Sequence, residues 1–295
     1  TCIDKDKNKI TELEKGVCPF FEPGIEELLF KHLKKTKLIS FSSSLNESIK
    51  DADVVFITVG TPSRRINDEA DLSAIWEVAE EIGESLKHYC LIVTKSTVPV
   101  GTTRKIKQII ANKIHQENFD VVSNPEFLRE GSAVNDFMRP DRVVIGAENE
   151  KSLNIMRELY RPLYLRETPI VSTTIETAEI IKYASNSFLA TKIGFINQVA
   201  DLCEEVGANV QDVAKGIGMD KRIGSKFLHA GPGFGGSCFP KDVKAFTAVA
   251  RKHSIDFSIL DAVNSSNKER PNKIVEKILK VKKFNSDSTI AILGL

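Results

Sequence analysis

The feature that most restricts the fold is an alternation. Short runs rich in β-branched residues, Val54 to Val59, Leu91 to Lys95, Val121 to Ser123 and Val143 to Ile145, are each separated by longer stretches with apolar residues at helical spacing. Strand-length runs divided by helix-length segments build a mostly parallel α/β sheet with helices on its faces. Thr1 to Ile3 reads as a further strand. Ligands in open sheets of this kind bind beyond the carboxyl ends of the strands. The polar residues standing there, Asp4, Gly60-Thr61-Pro62, Ser96-Thr97 and Asn124-Pro125-Glu126, are therefore the first candidates for a site.

Between Thr177 and Gly207 the texture changes: no proline occurs, Gly194 is the single internal glycine, and apolar residues recur at helical spacing. One helix of about 45 Å is expected, long enough to connect two domains. Helical patterns follow at Val210 to Ile217, Val243 to His253 and Ile259 to Ser266, then a polar linker from Lys283 to Asp287 and a strand from Thr289 to Leu293. The expected organisation is an α/β domain over 1–175, a connecting helix with a helical domain over 176–284, and the first strand of another domain over 285–295.

A length of 295 residues, with 41% hydrophobic and 27% charged residues, fits a globular chain of two domains. The net charge of +1 provides no field that would recruit nucleic acid or anionic lipid. The apolar runs are too short to cross a membrane, and no secretory signal opens the chain. Five cysteines, at 2, 18, 90, 203 and 238, show neither a CxxC pair nor metal-ligand spacing, so no metal is expected and the reducing cytoplasm is the natural setting. Starting without Met and ending at a strand start, the sequence reads as a piece of a longer protein.

Residues 231 to 242, GPGFGGSCFPKD, concentrate the chemistry. Gly231, Gly233, Gly235 and Gly236 allow positive φ and close approach of a ligand to backbone. Pro240 suits the first turn of a helix whose apolar stripe runs through Val243, Phe246 and Val249. Cys238 then lies at a helix N-terminus near Lys241, two features that stabilise a thiolate. Asp242 falls about one turn further on. A lone cysteine behind a glycine turn is more often a buried spacer. The coincidence of all these features favours a reactive thiol.

This stretch resembles the catalytic-cysteine signature of the nucleotide-sugar 6-dehydrogenases. CIDKDKNKI, EPGIEELL, VFITVGTP, KSTVPVGTT, NPEFLREGSAVNDFMRPDRVVIG, ETAEIIKYASNSFLATKIGFINQ and RIGSKFLHAGPGFGGSCFPKD are similar to that family's motifs and stand in its order. The resemblance implies a Rossmann-like NAD-binding domain, a helical dimerisation domain and the start of a second Rossmann-like domain. It implies oxidation of a sugar CH2OH twice, to the carboxylate, with two NAD reduced. Cys238 is then the nucleophile that forms a thiohemiacetal and a thioester. Lys182 and Asn186, one helical turn apart, stabilise the oxyanion. Glu126 is the base for thioester hydrolysis, Glu130 holds substrate or water, and Thr97 and Asp242 bind the water near the reacting carbon. Asp4, Lys9, Thr61, Thr97 and Lys241 match cofactor-contacting positions, and Asp4 as ribose acceptor favours NAD over NADP. Substrate contacts fall on Phe227, Leu228, His229, Ala230, Gly231 and Gly235, with Arg222 reaching the sugar from the other subunit of a homodimer.

The family's Gly-rich turn should precede Asp4 by about twenty residues and does not stand in this sequence. The lysine and arginine of the family's second Rossmann-like domain are likewise not in it, so the chain alone is expected to be a poor catalyst. RIGSKFLHAGPG favours UDP-glucose as substrate, with GDP-mannose as the alternative. A non-catalytic dimerisation fragment stays open as a different reading. Dehydrogenases of small hydroxy acids or of 6-phosphogluconate share the expected architecture but have no use for Cys238.

Overall fold

Cys90–Thr94 is buried from end to end, as an unbroken apolar run requires of a strand covered on both faces. The computed structural model describes residues 1–64, 69–164, 168–281, 284 and 287–293. Its strands are β1 (Cys2–Ile3), β2 (Phe41–Ser42), β3 (Val54–Ile57), β4 (Cys90–Thr94), β5 (Phe119–Ser123), β6 (Val143–Gly146) and β7 (Ile170–Thr173). Its helices are α1 (Lys7–Lys15), α2 (Ile25–Phe30), α3 (Leu45–Ser48), α4 (Ser73–Ser85), α5 (Thr102–Ala111), α6 (Ala133–Met138), α7 (Glu150–Tyr164), α8 (Ile175–Val206), α9 (Val210–Gly218), α10 (Phe239–Lys252) and α11 (Ser258–Val281).

Two compact units divide the chain, Thr1–Tyr183 and Ala184–Leu295. The two units divide about two turns into α8. The first turns of α8 pack against the sheet. Ile175 belongs to the core under β3 and β4, and Gly146 of β6 lies so close to α8 that a Cβ there would meet Ala178 at 2.6 Å.

In the first unit, β3, β4 and β5 are parallel, β6 is antiparallel to β5, and β7 is parallel to β6, giving the order β3-β4-β5-β6-β7. β1 and β2 form a separate parallel pair. The two-residue period of the strands sorts the core. Ile57, Cys90, Ile92, Phe119 and Val121 turn to one face, against Ile75, Ala79 and Ile82 of α4 and Ile106 and Ile110 of α5. Leu91, Val93, Val122, Val143 and Ile145 turn to the other, against Met156 and Tyr160 of α7. Both β2 and β7 escape sequence reading. The first is two residues long, and the second has two exposed residues and two half-buried ones, so neither carries an apolar alternation.

The second unit contains only helices among its described residues. Ala190 of α8, Val243 of α10, Leu260 and Val263 of α11 and Phe234 form its core, with Phe246 and Phe257 edge to face at 5.3 Å. α11 runs well past Ser266, where the expected helix ends, and continues through Pro271. That proline removes the one ladder bond to the carbonyl of Asn267. Residues 289–293, expected as a strand, are not one: Ile290, Ile292 and Leu293 are exposed and unpaired with any strand. A strand without a neighbour has no ladder to join. The expected linker, residues 283–287, lies mostly outside the described residues. Among the described residues no helix is long and apolar enough to cross a membrane, and no cluster of side chains has the make-up of a metal site.

Candidate active site

At the carboxyl end of β1, Asp4 donates its backbone N–H to Ser42 O and accepts from Asp6 N at 3.0 Å and Lys9 Nζ at 2.7 Å. Asp6 caps α1 by accepting from the backbone of Asn8 and Lys9, which aims Lys9 back at Asp4. The Lys9 hydrogen bond holds the Asp4 carboxyl below its usual range, and the same bond raises Lys9. An ionised carboxylate at a strand end is a fit acceptor for a ribose diol. The loops after β3 and β4 are stitched together: Thr61 Oγ1 donates to Thr97 O at 2.8 Å, and Ser96 Oγ to Val59 O at 2.6 Å. GPGFGG matches G-x-G-x-x-G letter by letter, but it follows no strand and is not a dinucleotide turn.

Beyond β5 the chain is anchored at Asn124, which is buried. Its N–H donates to Thr94 O and its Nδ2 to Val144 O at 2.7 Å, while its Oδ1 accepts from Tyr160 OH at 2.6 Å and Lys95 Nζ at 3.2 Å. Burial pushes the Lys95 ammonium down to about 8 and the Tyr160 phenol up to about 12. Two residues on, Glu126 Oε1 accepts from Lys182 Nζ at 3.1 Å, and Oε2 accepts from Leu128 N. The Lys182 ammonium lies 5.2 Å from the centroid of Phe127, whose ring also carries the Arg142 guanidinium at 3.6 Å. Glu130 sits on an exposed turn. The amides that follow it, Gly131 N and Ala133 N, donate to the buried Glu22 at 2.9 and 2.7 Å.

In the second unit Cys238 is exposed and stands at the N-cap of α10, with Pro240 in the first turn. Asp242 N donates to Cys238 O at 2.9 Å, which closes that turn. The Asp242 side chain is buried and accepts from Asn186 Nδ2 and from Lys241 Nζ, both at 2.6 Å. A buried carboxylate is tolerable because two donors satisfy it. Ser237 Oγ lies 3.6 Å from Cys238 Sγ.

The remaining expected positions differ in character. Phe227 has φ of +63° and packs edge to face on Phe239. Leu228 is buried, so its side chain serves the fold. His229, Ala230 and Gly235 are exposed. Arg222 is exposed and bonded to Asp220 of its own chain at 2.6 Å. Lys182 and Asn186, read from sequence as twin oxyanion donors, are each engaged by a carboxylate, Glu126 and Asp242 respectively. Lys95, Tyr160, Phe127 and Glu22 were not anticipated. Lys95 follows β4 directly, a position at which its ammonium could have been suspected.

The first unit pairs the half-buried Glu126 carboxylate with the Lys182 ammonium, and the second sets an accessible sulfur nucleophile at a helix N-terminus one turn before a buried carboxylate bonded to the Asn186 amide. The description "UDP-glucose/GDP-mannose dehydrogenase family, NAD binding domain" matches residues 1–164, and the central domain of the same family matches residues 176–269. UDP-glucose 6-dehydrogenase of Rhizobium meliloti is 50% identical over 297 residues, covering 100% of this chain and 68% of that protein. UDP-glucose 6-dehydrogenase TuaD of Bacillus subtilis is 46% identical over 295 residues, covering 100% of this chain and 63% of that protein. A solved UDP-glucose dehydrogenase from Pyrobaculum islandicum superposes with a TM-score of 0.90 at 37% identity, covering 95% of this chain and 64% of that one. The chain thus spans about two thirds of the length of these relatives.

Proposed function

Since the chain belongs to the UDP-glucose/GDP-mannose dehydrogenase family, we propose that it supplies the cofactor-holding and thiol-bearing parts of an enzyme that oxidises UDP-glucose to UDP-glucuronate. The observation that carries this reading is the exposed Cys238 at the N-cap of α10, one turn before a buried Asp242 held by Asn186 and Lys241. Bound NAD supplies the hydride acceptor for both oxidations. Asp4, kept ionised by Lys9, accepts from the ribose hydroxyls, with Thr61, Thr97 and Lys241 as further contacts.

In the first oxidation the C6 hydroxyl loses its proton, through water, to Asp242 as hydride departs and the aldehyde forms. Cys238 gives its thiol proton to water as Sγ adds to the aldehyde carbon; a C–S bond forms and the carbonyl electron pair becomes an alkoxide. Collapse of that alkoxide expels the second hydride and leaves a thioester. Lys182 Nζ and Asn186 Nδ2, one turn apart on α8, stabilise the alkoxide, each giving up a carboxylate partner to do so. Glu126, released from Lys182, takes a proton from the water that attacks the thioester. The C–S bond breaks, Glu126 returns its proton to the sulfur to restore the thiol, and the acid leaves as the carboxylate with its own proton passing to water.

The substrate is held by residues 227–231, Gly235 and Glu130. The enzyme works as a homodimer through α8, where Phe188, Phe195 and Leu202, spaced by seven, are exposed together with Val206; a heptad of apolar residues is the seam of a helix pair. Arg222, exposed in the turn that follows α9, reaches the sugar of the second copy.

The test is NADH formed per UDP-glucose consumed by the protein extended at both ends, with GDP-mannose in parallel. Two NADH per UDP-glucose, and none of the acid product from Cys238→Ser, is the expected result. Turnover of GDP-mannose alone would reassign the substrate, and turnover of neither would overturn the reading.

A further inference from the structure

Four glycines in six residues cost this loop more conformational freedom on ordering than residues with side chains would at those positions. Something outside it must hold it still if Cys238 is to present its thiol in one place. Four backbone groups of the loop are met by three side chains remote in sequence. Gly231 N–H donates to Asn197 Oδ1 at 2.8 Å, and Gly231 O accepts from Arg270 Nε at 2.9 Å. Phe234 N–H donates to Asn267 Oδ1 at 2.8 Å, and Phe234 O accepts from Asn267 Nδ2 at 2.9 Å. The loop is therefore gripped at both ends of residues 231–234, and each grip takes both an N–H and a C=O.

The shape of the loop is fitted to that grip. Gly233 has φ of +109°, and a Cβ on it would lie 2.6 Å from Asn267 Oδ1, so glycine is required there by both conformation and space. The Phe234 ring is sunk in the core formed with Ala190, Val243, Leu260 and Val263. Asn267 and Arg270 are three apart on α11 and share a face. Arg270 is buried and also bonds Asp201, whose carboxyl stays below its usual range although burial works to raise it, because hydrogen bonds from Lys273 and Arg270 prevail. A buried guanidinium and a half-buried amide could be replaced by apolar residues if helix packing were their whole purpose. Their polar atoms are instead aimed at loop backbone. Three residues, Gly235 to Ser237, then separate the gripped segment from the N-cap.

We infer that Asn197, Asn267 and Arg270 are positioning residues for Cys238: by clamping the backbone of Gly231 and Phe234 they fix the loop that delivers the thiol to the head of α10. None of the three touches the reacting atoms, and all act through the loop. The inference deepens the proposed function, since it takes Cys238 as the nucleophile.

Asn267→Ala tests it in two ways, with the isosteric Asn267→Asp as the second variant should the first fail to fold. In this chain, without substrate, hydrogen exchange at residues 231–237 should rise at least about tenfold while exchange within α10 stays at the wild-type rate. In the extended enzyme, kcat for acid formation should fall about tenfold or more with the KM values for UDP-glucose and NAD changed less than about twofold. Asn267→Asp keeps the acceptor for Phe234 N–H and should show a smaller effect of the same pattern. Unchanged exchange in the loop, or exchange raised equally throughout α10, overturns the clamp. Loop exchange raised with kcat intact overturns the positioning role. Should the wild-type enzyme itself not turn over UDP-glucose, the functional reading fails while the exchange measurement still decides the clamp.

Discussion

Glu179 ties the helix that carries Lys182 to the loop that carries Thr97, and its removal has a calculable effect. Its Oε2 accepts from Gly101 N at 2.7 Å and its Oε1 from Thr103 N at 2.9 Å. α5 begins at a glycine with φ of +89°, which brings no side chain to cap the helix, so Glu179 does so from another element. Each hydrogen bond to an ionised group contributes about 1.5–3 kcal/mol, or roughly 3–6 kcal/mol for the two. Relief of carboxylate burial in Glu179→Ala offsets roughly a third of that, leaving a loss of about 3 kcal/mol. For a unit of this size that lowers the midpoint of its thermal transition by about 6–12 °C. The transition would be followed by calorimetry on wild type, Glu179→Ala and Glu179→Gln. The glutamine keeps one acceptor and sets an NH2 against the other amide, so it should fall between the two. Burial raises Glu179 above its ordinary value of 4.5, so the fold binds its proton more tightly than the unfolded chain does. Wild-type stability relative to Glu179→Gln must then decline as pH rises from 4.5 through the higher folded value. A shift under about 2 °C in Glu179→Ala, or a Glu179→Gln indistinguishable from wild type at every pH, would refute the reasoning.

Lys95, lowered by burial to about 8 from 10.5, binds its proton less tightly folded than unfolded. Stability of the wild type relative to Lys95→Met should therefore rise with pH between about 8 and 10.5, by about 3 kcal/mol over the range, as read from urea midpoints; a flat difference speaks against it. Phe195→Glu places a charge in the exposed heptad stripe of α8 and should halve the mass seen by light scattering, while an unchanged dimer would move the interface elsewhere. Gly146→Ala drives a methyl into Ala178, Thr174 O and Ile175 of α8, all within 3 Å. A loss of about 2–3 kcal/mol is expected by denaturant titration, and a neutral result would mean that β6 and α8 separate freely.

Much of the architecture is legible in local sequence because its signals are local. The unbroken apolar run of CLIVT, the apolar spacing and absence of proline through α8, and Pro240 behind Cys238 each act within one or two turns of chain. They specify strand, helix and N-cap without reference to anything distant, and the thiol at the head of α10 follows from them. What tertiary structure decided depends on groups far apart in sequence. The strands β2 and β7 exist because a neighbour accepts their hydrogen bonds, and 289–293 is no strand because none does. Lys182 and Asn186 share a helix face by spacing alone, yet folding assigns each a different carboxylate, Glu126 and Asp242, each 56 residues away. Asn267 looks like any polar residue of a helix; only the folded chain sets it against Gly233, where a single missing Cβ makes room for it. Hydrogen bonds of that kind leave no periodic trace, because the partner is chosen by the path of the whole chain and not by the residues on either side.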